Sequence, residues 1–378
     1  MDTQVLAEWV SRLVQIPSVT SSQAGPKAGR PGEEKIAQTL AGWFTAFGGQ
    51  VELVEVEPGR PNVYAKWQGY SDRWVVVDVH TDTVGVEQMT DPPFDGRIED
   101  GRVYGRGAVD TKATLGVLLA LLEAMHSVGQ KPAMNLLIAA TVNEEAGFTG
   151  ARSFAEWARA EKMVIDQLIV AEPTMCGPVF GHKGGARLEV EVIGLPAHTS
   201  QPHLGKNAIT AAAQLILAME AEHQRLQTLT PENPVGLPTI TVSRIQGGTG
   251  SNVVPDRCLL SIGRRNVPGE DPEIVLSHLL ELAKKSCPLP LEVKQARSVG
   301  GFLQSPETTW VKQLIAWSGQ EPSVVPYGSH ALVYAGLSKE MIVLGPGSID
   351  QAHGQSEWVE IAELEKAASI YSRWLGWS

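Results

Sequence analysis

The chain is poor in cysteine. Cys176, Cys258 and Cys287 are an odd number and none falls in a CxxC pair, which favours a reducing cytoplasm in which thiols serve as small core residues. A block of lysine and arginine is missing too, and the formal net charge is −11, so neither nucleic acid nor an anionic membrane is expected as a partner. No apolar run is long enough to cross a bilayer. The first fifteen residues open directly in a helical pattern, with Leu6, Trp9, Val10, Leu13 and Val14 on one side. They lack a basic start followed by an apolar core, so no secretory leader is expected. Internal repeats and low-complexity tracts are absent. What is there is a globular composition, 378 residues with 43% hydrophobic and 19% charged, sized for one large domain or two ordinary ones.

Hydrophobic period divides the chain. Up to residue 185, strand patterns at 51–56, 62–67, 74–79, 134–142 and 167–171 alternate with helical ones at 32–47, 111–126 and 148–161. The helix at 111–126 is apolar nearly all round and reads as buried. This alternation predicts an α/β fold, a sheet with helices on both faces. From Arg187 the strands become half polar, and the order β-α-β-β-α-β predicts a ferredoxin-like α+β unit. Helix and strand patterns of the first kind resume after 298. The economical reading is one domain of residues 1–185 and 299–378, interrupted by an inserted domain at 186–298.

The candidate chemistry gathers at strand ends. Val75–Val77 run into His80, with Asp82 two residues on and on the same face of an extended segment. A carboxylate beside an imidazole can orient a metal ligand, or it can be a plain surface hydrogen bond. Asp110 precedes the buried helix, where it reads as an N-cap or as a ligand. Asn143-Glu144-Glu145 ends another strand; adjacent carboxylates there are a solvated loop, or a ligand beside a general base. Glu172 closes a further strand, and His353 lies in a glycine-rich loop. Taken together, His80, Asp110, Glu145, Glu172 and His353 suit two zinc ions sharing one carboxylate, roughly 3.5–4 Å apart. Cobalt or manganese would suit the same donors. His126, His223 and His278 fall within helices and are expected at the surface or core edge. His198, in a loop of the inserted domain, could reach a substrate across a cleft or in a partner subunit.

These residues stand in motifs that resemble a known family. HTDTV, DPPF, GRGAVDTK, NEEAGFTGA, AEPT, GHKGG, AHTSQPHLGKNAI, GGTGSNVVPD, RNVPG and LGPGSIDQAHG occur in family order. The chain is thus similar, over nearly its whole length, to the two-zinc amidohydrolases and exopeptidases, which include acetylornithine deacetylase, succinyl-diaminopimelate desuccinylase, aminoacylase and glutamate carboxypeptidase. The deacetylase branch is the nearest in local motif. The resemblance implies a zinc-exopeptidase-like catalytic domain, a mixed sheet between helices, with an inserted lid and dimerisation domain. It implies that His80 and Glu172 bind one zinc, Glu145 and His353 the other, and Asp110 both. Asp82 would orient His80, Glu144 would be the general base, and a cis peptide would follow Asp110. His198 would stabilise the oxyanion in a neighbouring subunit's site, and Asn252 and Arg265 would hold the substrate carboxylate. Arg264 beside Arg265 leaves open which arginine faces the site.

Some positions depart from the pattern: Val79, Gly85 and Thr111 replace a glycine, a proline and a methionine. The specificity loop reads Gly328-Ser329-His330-Ala331, which makes His330 a candidate substrate contact that alters pocket polarity. The expected activity is hydrolysis of the amide of an N-acyl amino acid, as in amino-acid biosynthesis, by a water held between the metals. The alternatives are a carboxypeptidase or dipeptidase acting on short peptides, and a non-catalytic metal-binding relative. A homodimer is expected.

Overall fold

A computed structural model of the chain describes residues 2–377. The chain forms two compact units. One takes in the chain up to Phe180, Gln304–Ser323, and Ser329 onwards; the other is Gly181–Leu303 with Val324–Gly328. The second unit reaches further out at both ends than residues 186–298, because the short strand Phe302–Leu303 pairs with His182 and Gly181.

In the first unit six strands lie side by side in the order Gln50–Glu57, Arg60–Trp67, Asn135–Thr141, Trp74–His80, Ile165–Val170, Ser338–Val343. The first three pair antiparallel, and the last four run parallel. The mixed sheet expected from the sequence is therefore present. The Trp74–His80 strand is central, and Val75, Val76 and Val77 are all 0% exposed. An unbroken β-branched run suits a strand covered on both faces. The apolar helix is Lys112–Ser127, packed between the helices Thr3–Val14 and Ile361–Leu375. Leu115, Leu118 and Leu119 are fully buried, and each contributes about 1.5–3 kcal/mol. Close approach to the first helix requires Gly116, where a Cβ would stand 2.5 Å from Val10 Cγ2.

A third strand beside the hairpin at residues 98–104 was not foreseen. Trp358–Glu360 pairs with Arg102–Tyr104 of the hairpin that begins at Ile98. It joins the chain just before Asp110 to the chain just after His353.

The second unit has the strands Gly185–Ile193, Thr239–Gly247, Arg257–Arg265 and Leu291–Val299 and the helices Ala208–Gln227 and Pro272–Ser286. With strands numbered along this unit, the sheet order is 2-3-1-4, antiparallel throughout, the ferredoxin-like arrangement. Leu188, Val190, Leu260 and Ile262 bury against Leu215 and Leu279 of the helices. Arg257 and Lys294 pair with Glu191, each at 2.9 Å, on the strands' polar positions. Among the described residues no helix is long and apolar enough to cross a membrane.

Candidate metal centre

The four parallel strands of the first unit deliver the candidate ligands from their carboxyl ends, where such sheets place their sites. His80 ends one strand, Glu144 and Glu145 follow Thr141, Glu172 follows Val170, and His353 lies in the loop after Val343. Asp110 comes from the turn before the buried helix. It is not that helix's N-cap: Thr111 holds the position, without a side-chain cap, and the Asp110–Thr111 peptide is cis. Gly345 lets the His353 loop leave the sheet beside Glu172, whose carbonyl oxygen would lie 2.6 Å from a Cβ there.

Two sets of three ligand atoms gather within 4.8 Å of one another: His80, Asp110 and Glu172, and Asp110, Glu145 and His353. Asp110 is common to both. One of its oxygens is 3.0 Å from His80 Nε2, and the other 3.2 Å from His353 Nε2. His353 Nε2 also lies 3.1 Å from Glu145 Oε1. In a tetrahedral site with bonds of roughly 2.0–2.1 Å, neighbouring donors are about 3.4 Å apart, so these spacings need little adjustment to take an ion. The first set is deep, with His80 at 2% and Asp110 and Glu172 each at 6% exposure. The second opens outward through His353, whose side chain is 51% exposed.

The electrostatics argue for missing positive charge. Burial pushes the Glu172 carboxyl well up, and Asp110 and Glu144 nearby push it further. Burial does the same to Glu144, with His80 opposing it and the anions Glu145, Asp110 and Asp82 adding to it. Burial raises Glu145 as well, against a hydrogen bond from His353. Burial opposes the charge on Asp110, yet hydrogen bonds from His353 and His80 hold its carboxyl well below the usual range. Hydrogen bonds to Asp110 and Glu145 lift His353 to about 10. Two imidazoles thus face five crowded carboxylates, Asp82 included. Such a cluster is costly without cations, and its mixed nitrogen and oxygen donors fit two divalent ions.

Asp82 does more than expected. His80 Nδ1 donates to the backbone carbonyl of Asp82 at 2.9 Å, while the Asp82 carboxylate stands 3.5 Å away. A carbonyl only accepts, so Nδ1 carries the proton and Nε2 is left as the ligand atom. The Asp82 carboxylate meanwhile accepts the backbone N–H groups of Glu144 and Glu145 at 3.0 and 3.1 Å. On the other side of that turn Asn143 sits at φ 63°. Its N–H donates to Glu33, which is 0% exposed and clamped by Arg60 at 2.6 and 2.7 Å. The sequence pattern singled out neither Glu33 nor Arg60.

His330 is buried beside the ligands, its ring centroid 6.4 Å from that of His80. It is 1% exposed, and its Nδ1 lies 2.9 Å from Asp78 Oδ2, itself 1% exposed. Thr141 donates to the other Asp78 oxygen at 2.8 Å, and Phe148 meets the His330 ring edge-on at 5.2 Å. The loop histidine is held inward by an aspartate from the central strand.

Within the second unit, His198 and Asn252 share one loop cluster. His198 bridges to Val253, and Thr199 N–H donates to the Asn252 carbonyl at 3.1 Å. Ser200 N–H donates to His198 Nδ1, so in the neutral ring the proton sits on Nε2. Both side chains are exposed. Arg264 is buried and spent on Glu270, at 2.6 and 3.0 Å, and on Asn266 at 2.8 Å. Arg265 is exposed.

Comparison with known proteins agrees with this geometry. Acetylornithine deacetylases from Aliivibrio salmonicida and Myxococcus xanthus are 29% and 33% identical to the chain. The first alignment covers 97% of this chain and 96% of the relative, the second 73% and 72%. A family M20 metallo-carboxypeptidase from Sulfolobus solfataricus superposes with a TM-score of 0.81 at 20% identity, over 99% of both chains. A dinuclear metal-binding peptidase of family M20 from Bacillus subtilis gives 0.67 at 16% identity, over 99% of this chain and 97% of that one. Residues 76–376 match the profile of peptidase family M20/M25/M40. The chain belongs to that family and is a hydrolase of amide bonds.

Proposed function

We propose that this hydrolase removes the acyl group from N-acyl amino acids, cutting the amide next to a free carboxylate. The observation that carries the reading is the Asp110 carboxylate shared between two ligand sets, with Glu144 crowded against them. His80, Asp110 and Glu172 would hold one ion, and Asp110, Glu145 and His353 the other. Zinc suits these donors, as do cobalt and manganese. When bound, the ions supply Lewis acidity that polarises the amide carbonyl and makes water acidic enough to attack near neutral pH. Glu144, kept basic by burial and by its anionic neighbours, takes the water's proton and returns it to the leaving amine. Asp82 fixes the backbone of Glu144 for that transfer. His198 offers Nε2–H to the oxygen that gains charge, and the planar fork of Arg265 takes the substrate carboxylate.

The second unit's own dimensions support a homodimer. Asn252 and His198 lie before the start of the Arg257–Arg265 strand and Arg265 at its end. At ~3.3 Å per residue that is about 26 Å, too far for one amino acid to touch both ends. Two copies of the unit resolve this if His198 and Asn252 serve the neighbouring subunit's substrate. The edge strand Thr239–Gly247, mostly exposed, gives the copies an open ladder to pair along. Three unpaired, buried cysteines fit a reducing cytoplasm.

The test is amine release by metal-loaded protein over one panel. It holds N-acetylornithine, N-succinyl-diaminopimelate, neutral N-acetyl amino acids and dipeptides. Turnover of the acyl amino acids above the dipeptides is expected. A preference for dipeptides would replace this reading with an exopeptidase. No turnover of either, with two metals bound, would leave a non-catalytic metal binder.

A further inference from the structure

Three loops of the first unit carry or flank the ligands: the turn after His80, the segment Gly105–Asp110, and the loop of His353. One buried ion pair touches all three. Arg106 is 2% and Glu357 1% exposed, and Arg106 Nη1 donates to Glu357 Oε2 at 2.6 Å. Arg106 Nη2 donates to the carbonyl of Gly354, the residue after His353, at 3.1 Å, and to that of Gly85 at 3.2 Å. The other Glu357 oxygen accepts the backbone N–H groups of Val109 and Asp110 at 3.1 and 3.3 Å. Gly105 N–H donates to the Glu357 carbonyl at 2.9 Å.

We infer that Arg106 and Glu357 are a positioning pair: they set the distance between the Asp110 carboxylate and the His353 ring, and so the affinity of the outer metal site. The inference rests on the two-metal reading above. Neither side chain is a ligand. Their work is mechanical, because Asp110 and His353 belong to loops more than 240 residues apart in sequence, and the pair is bonded to the backbone of both. The deep site depends less on it, since His80 and Glu172 hang from adjacent strands of the sheet. Removing the acceptor frees two backbone donors beside Asp110. Removing the fork frees the Gly354 carbonyl beside His353. Partners of this kind change metal affinity by roughly 10- to 100-fold.

The experiment is a zinc titration with a competing chromophoric chelator, run on metal-stripped wild type, Glu357→Gln and Arg106→Lys. Circular dichroism and thermal melting check that each is folded. Glu357→Gln keeps a carbonyl acceptor but loses the charge, and Arg106→Lys keeps the charge but loses the fork. Expected are two zinc ions per wild-type chain. In both variants one ion should bind with nearly wild-type affinity and the other 10- to 100-fold more weakly. Both ions binding the folded variants within about twofold of wild type would overturn the positioning role alone. Equal weakening of both sites would overturn its assignment to the outer site. A wild-type chain that binds fewer than two ions would overturn the two-metal reading, and this inference with it.

Discussion

In the proposed reaction a proton changes hands twice at Glu144, whose backbone is pinned by Asp82 rather than by either ligand set. Glu144→Gln should therefore keep both metals, measured by titration, and lose about 10²- to 10⁴-fold in kcat. A variant that keeps its turnover would remove Glu144 from the mechanism. His353 makes a second prediction. Without metal it holds its proton up to about pH 10, and His80 is raised well above its ordinary value by Asp110 and Asp82 despite burial. An imidazole must shed a proton to become a ligand. Apparent metal affinity should therefore climb between pH 6.5 and 8.5, by up to about tenfold per unit for each proton displaced. Calorimetry in buffers of different ionisation enthalpy reads the protons directly. Heats that are the same in every buffer would contradict the exchange.

At the scale of elements, the buried helix and the N-terminal helix meet closely at Gly116. Gly116→Ala would raise helix propensity yet drive a methyl into Val10. Such overpacking costs about 1–3 kcal/mol, so the melting temperature should fall; an unchanged or higher one would show that the two helices can part. This helix was legible in the sequence because an all-round apolar pattern has one reading. The strands were legible for the same reason, and with them the ends that carry His80, Glu145, Glu172 and His353. Bonds between loops were not. Glu357 reaches the backbone of Val109 and Asp110 from the far end of the chain, and no periodicity links those positions. The burial of His330 was not legible, because its loop position says nothing about Asp78 lying across from it. Asp78 itself was visible as a carboxylate interrupting a run of valines. A buried charge in such a strand demands a partner, and that demand was the signal available.

At the scale of the whole molecule, the prediction concerns who helps whom. Glu144→Gln and His198→Ala chains should each be nearly inactive. Unfolded, mixed and refolded together at equal amounts, half the dimers are hybrids. In a hybrid, the His198→Ala chain keeps Glu144 and receives His198 from its neighbour. One of its two sites is whole, so roughly a quarter of wild-type activity returns. If His198 acted on its own chain, no site in any combination would be whole and the mixture would stay silent. Light scattering on the same samples gives the mass against 40.7 kDa per chain.

The unequal depth of the two ligand sets has a temporal side. The set of His80, Asp110 and Glu172 is closed off at a few per cent exposure, whereas His353 is half in solvent. Two ions held there would queue: the inner seat would fill first and empty last, and exchange with the surroundings would pass through the outer one. Under metal scarcity the molecule would pause in a half-loaded form, from which a single arriving ion restarts it. Its activity would then follow the supply of the last ion rather than the amount of protein.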